Sequence, residues 1–293
     1  MTMHQNQLKI TLELVSQLIH QQFPHFSNLP LKPVQSMGTV NAIYRLGKEH
    51  YVRLPLMKEY EMSLQKEIMI LSTIKKHVSL PIPNPIGIGQ PTNDYPLTWA
   101  IYEWLPGDTY DSNLVEEDLT AKTLARFVNE LQLMPITDTA PKAGRKALLE
   151  LNEQTILAIH QCSGDIDVEK TLIAWKELVN TTPWNQKPVW IHSDLLKPNL
   201  LIHQQQLRAI IDFGSSGIGD PAFDMTPAWD VLTTDKGQQL FKEQVNVTDE
   251  VWLRGKAYAL HQAALIIPYY RKSNPDFAKQ AIQTIGNILD SSL

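Results

Sequence analysis

Trp190-Ile191-His192-Ser193-Asp194-Leu195-Leu196-Lys197-Pro198-Asn199, followed by Ile210-Ile211-Asp212-Phe213-Gly214, is the stretch from which the rest of the chain is read. Val189 to Ile191 is β-branched and aromatic, which predicts a strand. Asp194 and Asn199 then sit five apart in a loop, so both side chains can turn into one cavity. Leu200 to Ile202 and Leu207 to Ile211 flank Gln204-Gln205-Gln206 and predict a hairpin, which returns Asp212 toward its starting point. Asn199 and Asp212 offer hard oxygens of the kind Mg²⁺ takes, since that ion uses few protein ligands and keeps phosphate and water for the rest. Asp194 is left to orient an incoming hydroxyl and accept its proton. Those are the parts of phosphoryl transfer, in which positioning and charge neutralisation carry the catalysis.

Upstream of this stretch the pattern predicts a sheet-rich half. Leu8, Leu12, Val15, Leu18 and Ile19 recur at helical spacing until Pro24. Val40 to Leu46 and His50 to Leu54 read as strands around a Gly47-Lys48-Glu49 turn, 59–77 as a helix, and Ile86 to Ile88 and Leu97 to Trp104 as two further strands. Beyond Leu105-Pro106-Gly107 the periodicity is helical, over 119–133, 145–161, 168–179, 250–270 and 276–289. The expectation is an α+β chain with an N-terminal nucleotide-binding lobe over 1–104 and a larger, mainly helical lobe over 105–293 that carries catalysis and the substrate.

Composition excludes several classes. Among 293 residues, 26 Lys and Arg face 31 Asp and Glu, a net charge of -5, so no basic excess marks a nucleic-acid binder. The single cysteine, Cys162, cannot close an intrachain disulfide. No apolar run is long enough to span a bilayer, and Met1 to Gln5 lack the look of a signal peptide, so a cytoplasmic protein is expected. The nine histidines are scattered, which argues against a zinc site.

The His192-x-Asp194, Asn199 and Asp212-Phe213-Gly214 spacing resembles the aminoglycoside phosphotransferase branch of the protein-kinase-like superfamily. Gly219-Asp220-Pro221-Ala222-Phe223-Asp224 is similar to the Gly-Asp-Pro-x-x-Asp that follows in that branch. The resemblance implies a two-lobed protein-kinase-like fold, with a small antiparallel sheet and one helix in the first lobe. It also implies ATP or GTP as donor, Mg²⁺ as cofactor, and a hydroxylated small molecule as acceptor. Ser36 and Gly38 take the place of the nucleotide-covering turn. Glu67 takes that of the glutamate that pairs with a strand lysine, where this chain has Arg53; arginine is longer and planar, so the exchange is not neutral. Glu103, through its carbonyl, and Leu105, through its amide, take the place of the purine contacts. His192 is implied as a brace of the catalytic loop.

Other readings stand beside these. Asp220 and Asp224 read as helix caps around Pro221, and Asp220 reads equally well as a brace of the catalytic loop. Lys197 either reaches the transferred phosphate or is solvated, and the tryptophans are core or cleft wall. Only Ser215 to Gly219 separate Gly214 from Asp220, too short for a peptide-holding activation segment, so a small acceptor is favoured over a protein. Glu116, Glu117, Asp118, Asp230, Asp235, Asp249 and Glu250 could draw a cationic aminoglycoside or be ordinary surface charge. An aminoglycoside-type acceptor is the leading expectation. A metabolic kinase of choline-like, homoserine-like or sugar substrates is the alternative, and a nucleotide-binding pseudokinase is the reading that Arg53 invites. No residue is assigned to the substrate.

Overall fold

Thr11 opens the first helix: its hydroxyl accepts the amide of Leu14 at 3.2 Å, taking one of the N–H groups that a helix start leaves unpaired. The computed structural model describes residues 7–34 and 40–291. The turn expected at Ser36 and Gly38 lies outside the described residues. The chain forms two compact units, 1–76 with 80–107 and 209–214, and 77–79 with 108–208 and 215–293.

In the first unit, α1 (Leu12–Gln22) is followed by β1 (Leu31–Pro33), β2 (Asn41–Leu46), β3 (His50–Pro55), α2 (Lys58–Ile74), β4 (Pro85–Gly89) and β5 (Trp99–Glu103). The strands form an antiparallel sheet in the order β1-β2-β3-β5-β4. Gly47, at φ 61°, makes the β2–β3 turn in a conformation that costs glycine little. Val15, Leu18 and Ile19 of α1 bury against Tyr44, Leu46, Val52, Leu54, Trp99 and Ile101 of the sheet. The β1 strand was not foreseen: Leu31-Lys32-Pro33 is short, half-exposed and ends in proline.

In the second unit come β6 (Asp108–Thr109), α3 (Glu117–Gln132), α4 (Leu148–Gln161), α5 (Val168–Leu178), β7 (Val189–Ile191), β8 (Leu200–His203), and β9 (Gln206–Ile210), whose last residues begin the segment counted with the first unit. Then follow β10 (Gly217–Gly219), α6 (Pro227–Asp230), α7 (Asp235–Val245), α8 (Asp249–Tyr270) and α9 (Pro275–Asp290). Two corrections matter to the site. The helix expected from Arg145 begins only at Leu148, which leaves Arg145 on the preceding loop. And β10 pairs antiparallel with β7, so the short segment after Gly214 becomes a strand at once.

The lone cysteine has a structural use. Pro268 lies inside α8 and has no N–H to give the carbonyl four residues back, that of Ala264. The buried thiol of Cys162 donates to that same carbonyl at 3.4 Å. Around it Ala263, Ile267, Ala281 and Ile285 form a small core of their own.

Candidate active site

Strand β3 carries Arg53 and helix α2 carries Glu67, both buried in the first unit. Arg53 Nη1 donates to both Glu67 oxygens at 2.9 Å, and Nη2 donates to Asp212 Oδ1 at 3.1 Å. With its amide turned so that oxygen faces the guanidinium, Asn41 accepts from Nε and Nη2, both at 3.1 Å. Tyr102 of β5 donates its hydroxyl to Glu67 Oε1 at 2.8 Å. Burial pushes the Glu67 carboxyl up, and Arg53 pulls it back. Burial opposes the charge on Arg53, but the two carboxylates hold its pKa well above the ordinary arginine value. The arginine in place of the expected lysine is thus accommodated, forked between two acids.

Asp212 itself sits at φ 65°, a left-handed conformation rare for a residue with a side chain. Gly214 beside it has no room for more: a Cβ there would lie 2.2 Å from Ser63 Oγ on α2. One guanidinium faces two carboxylates here, so a net negative charge remains, and the Asp212 side chain is 41% exposed. That suits a hard cation. Among the described residues, no three His, Cys, Asp or Glu side chains group around a metal-sized point. The donors fit an ion that takes few protein ligands, as Mg²⁺ does. Glu103 ends β5 and is exposed, with Leu105 just beyond. Between them the amide of Trp104 donates to the Glu49 carbonyl at 2.7 Å.

In the second unit, β7 delivers His192, Ser193 and Asp194. The two carboxylate oxygens of Asp224 accept the amides of His192 and Ser193 at 2.8 and 2.7 Å. His192 is buried; its Nδ1 accepts the Asp194 amide at 3.2 Å, and its carbonyl accepts from Ser216 Oγ. His192 is therefore built into the loop as a brace. Ser193 adopts φ 66°, and its hydroxyl donates to the Ser215 carbonyl at 3.0 Å. Asp194 is gripped on both sides: Asn199 Nδ2 donates to Oδ2 at 2.9 Å and to the Asp194 carbonyl at 2.9 Å. Arg145 Nη2 donates to Oδ1 at 2.6 Å. The bonded Nδ2 turns the Asn199 oxygen to the other side of its amide, where it can serve as a ligand.

Of the two readings kept open for Asp220, the structure shows the cap and not the brace. Asp220 caps a 3₁₀ turn through the Ala222 amide at 3.0 Å and pairs with Arg254 of α8 at 2.7 and 3.1 Å. The brace expected at Asp220 is instead Asp224, four residues on, whose carboxylate takes the His192 and Ser193 amides; sequence reasoning had read it only as a cap. Lys197 is buried rather than solvated, and its amide donates to Asp230 Oδ2 at 3.0 Å. Sequence reasoning missed Arg145, Arg254, Tyr102 and Asn41. Asn41 and Tyr102 stood beside expected motifs, and Arg145 was hidden by its placement in a helix.

Residues 34–258 match the model of a phosphotransferase enzyme family, APH, over more than half of the chain. The chain belongs to that family. As a member of the phosphotransferase enzyme family it is a phosphotransferase. No curated protein matches it in sequence. Its fold is similar to that of an aminoglycoside 2'-phosphotransferase-IIIa in complex with GDP, at 19% identity over 94% of this chain and 97% of that one, with a TM-score of 0.70. A macrolide 2'-phosphotransferase type I is similar at 16% identity over 93% and 96%, with a TM-score of 0.62. A macrolide 2'-phosphotransferase of Brachybacterium faecium is similar at 14% identity over 94% and 97%, with a TM-score of 0.61. These likenesses establish the kinase-like α+β fold of the family member. No helix among the described residues is long and apolar enough to cross a membrane.

Proposed function

We propose that this phosphotransferase moves the terminal phosphate of ATP or GTP to a hydroxyl of a small molecule. The observation that carries the reading is Asp194, set on a loop braced by Asp224 and held by Asn199 and Arg145 at its two carboxylate oxygens. The acceptor oxygen attacks the terminal phosphorus, the bond to the bridging oxygen breaks, and the nucleoside diphosphate leaves. Asp194 orients the hydroxyl and takes its proton. Asn199 and Asp212 would hold Mg²⁺, whose charge would offset that of the phosphates. Arg53, fixed by Glu67, steadies the phosphates; Ser36, Gly38, Glu103 and Leu105 serve the rest of the nucleotide. The immediate pairing of β10 with β7 after Gly214 supports a small acceptor over a peptide.

Fold likeness to aminoglycoside and macrolide kinases supports an aminoglycoside-type antibiotic as acceptor. One observation favours the competing metabolic acceptor: a guanidinium, that of Arg145, beside the catalytic carboxylate. The test of the kinase reading compares wild type with Asp194→Ala for metal-dependent turnover of ATP and GTP against a broad panel of hydroxyl compounds. A loss of roughly 10²- to 10⁴-fold is expected, as for removal of a general base. The same negligible turnover in both proteins, with nucleotide still bound, would leave a pseudokinase.

A further inference from the structure

Arg145 is not a loose surface arginine. The loop that bears it runs beside β10: the Ile218 amide donates to the Pro141 carbonyl at 2.8 Å, the Ala143 amide to the Ile218 carbonyl at 3.0 Å, and the Gly144 amide to the Ser215 carbonyl at 3.0 Å. The backbone is therefore clamped up to the residue before Arg145. Its side chain is fixed in turn, with Nε donating to the Ser193 carbonyl at 3.0 Å and Nη2 to Asp194 Oδ1 at 2.6 Å. An arginine has about five N–H donors in a planar fork, so these two bonds leave about three for another acceptor. The side chain remains 28% exposed, and Lys142 and Lys146, on the same loop, are exposed.

A second observation points the same way. The acidic residues that could have drawn a cationic acceptor have other work. Glu117 accepts from the amides and hydroxyls of Thr233 and Thr234. Asp118 pairs with Lys236, Asp249 with Lys242, and Asp230 is buried against the Lys197 amide and Thr284. Glu116, Asp235 and Glu250 lie at the starts of α3, α7 and α8, where a negative charge answers the helix dipole. From Val251 to Asn274, the rest of α8 and the turn after it, the sequence has no Asp or Glu.

We infer that Arg145 is the anchor for an anionic group of the acceptor, so that the molecule phosphorylated is a hydroxyl compound bearing a carboxylate or a phosphate. The inference rests on the kinase reading and names its substrate class. A guanidinium fork matches either anion with paired hydrogen bonds. Its place next to Asp194 puts that anion within a few bonds of the hydroxyl that reacts. A polycation would instead bring like charge to Arg145.

Matched acceptors test this on the unaltered protein with Mg²⁺ and ATP or GTP: gluconate against glucitol, glycerate against glycerol, and glycerol 3-phosphate against glycerol, with kanamycin and choline as cations. The expected result is that the anionic member of at least one pair is preferred in kcat/KM by roughly tenfold or more, the gain of a charge-assisted contact. The first two pairs report a carboxylate and the third a phosphate. In Arg145→Gln the preference should collapse toward parity, chiefly through KM, and Arg145→Lys should restore part of it, while unchanged circular dichroism shows that the variants fold. Preference for kanamycin, choline or the neutral alcohols would overturn the inference and leave the kinase reading standing. So would an equal loss for every acceptor in Arg145→Gln, which would make Arg145 a brace of Asp194 alone. Failure of every acceptor, with no nucleotide turnover, would remove both.

Discussion

Asp224 is a carboxyl with no exposed surface whose two oxygens take the backbone amides of His192 and Ser193. Burial pushes its pKa up to about 7, against the pull of those amides. Between the ordinary carboxylate range and about 7, the folded chain holds a proton that the unfolded chain has released, so this group's contribution to stability falls as pH rises through that window. The limiting slope is about 1.4 kcal/mol per pH unit. Asp224→Asn, which keeps one acceptor oxygen and cannot titrate, should flatten the dependence between pH 5 and pH 7 in urea unfolding. Parallel stability profiles for the two proteins would show that Asp224 does not titrate there. Asp194, Asn199 and Asp212 were legible because their spacing in one strand–loop–hairpin stretch is a local signal. Arg145 and Asp224 were not legible as partners: they reach Asp194 and the loop from 49, 31 and 32 residues away, and nothing in local sequence reports such a contact.

Cys162 and Pro268 make a second kind of statement, about how a helix tolerates its own break. If the thiol serves the carbonyl that Pro268 leaves unserved, the two residues must be coupled. Cys162→Ala should cost about 1–3 kcal/mol, combining a lost buried donor and a small void. In a Pro268→Ala background, where the Ala264 carbonyl regains a helical N–H, the same change should cost less, with a coupling of at least ~0.5 kcal/mol. Equal costs in the two backgrounds, read from denaturant midpoints, would refute the coupling. Elements with strong periodicity, such as α3 and α9, were legible in the sequence. The α7 helix, Asp235–Val245, was not: it is polar, buries only Gly237, Phe241 and Val245, and carries a glycine in its first turn. That glycine is there for packing, since a Cβ would lie 2.3 Å from Glu117 Oε1. β6 and β10 are two and three residues long, too short for alternation to show.

The net charge of -5 has changed its meaning. As a sum it could be taken to invite a cationic acceptor. Placed on the structure, the relevant acids start helices, cap turns or pair with lysines, and the chain keeps an arginine at the Asp194 carboxylate. The first compact unit also takes Ala209–Gly214 from far along the chain, which places Asp212 with Arg53 and Glu67 in a way no linear division at residue 104 would show. The proposed phosphoryl transfer to a small hydroxyl compound depends on Asp194 and Asp212. Phosphorus-31 NMR of ATP or GTP, Mg²⁺ and the hydroxyl panel tests it most directly. The expected spectrum from wild type shows a new phosphomonoester growing in step with nucleoside diphosphate, and neither growing in Asp194→Ala or Asp212→Ala. An unchanged nucleotide spectrum in all three proteins, or the same phosphomonoester from the variants at the wild-type rate, would contradict it.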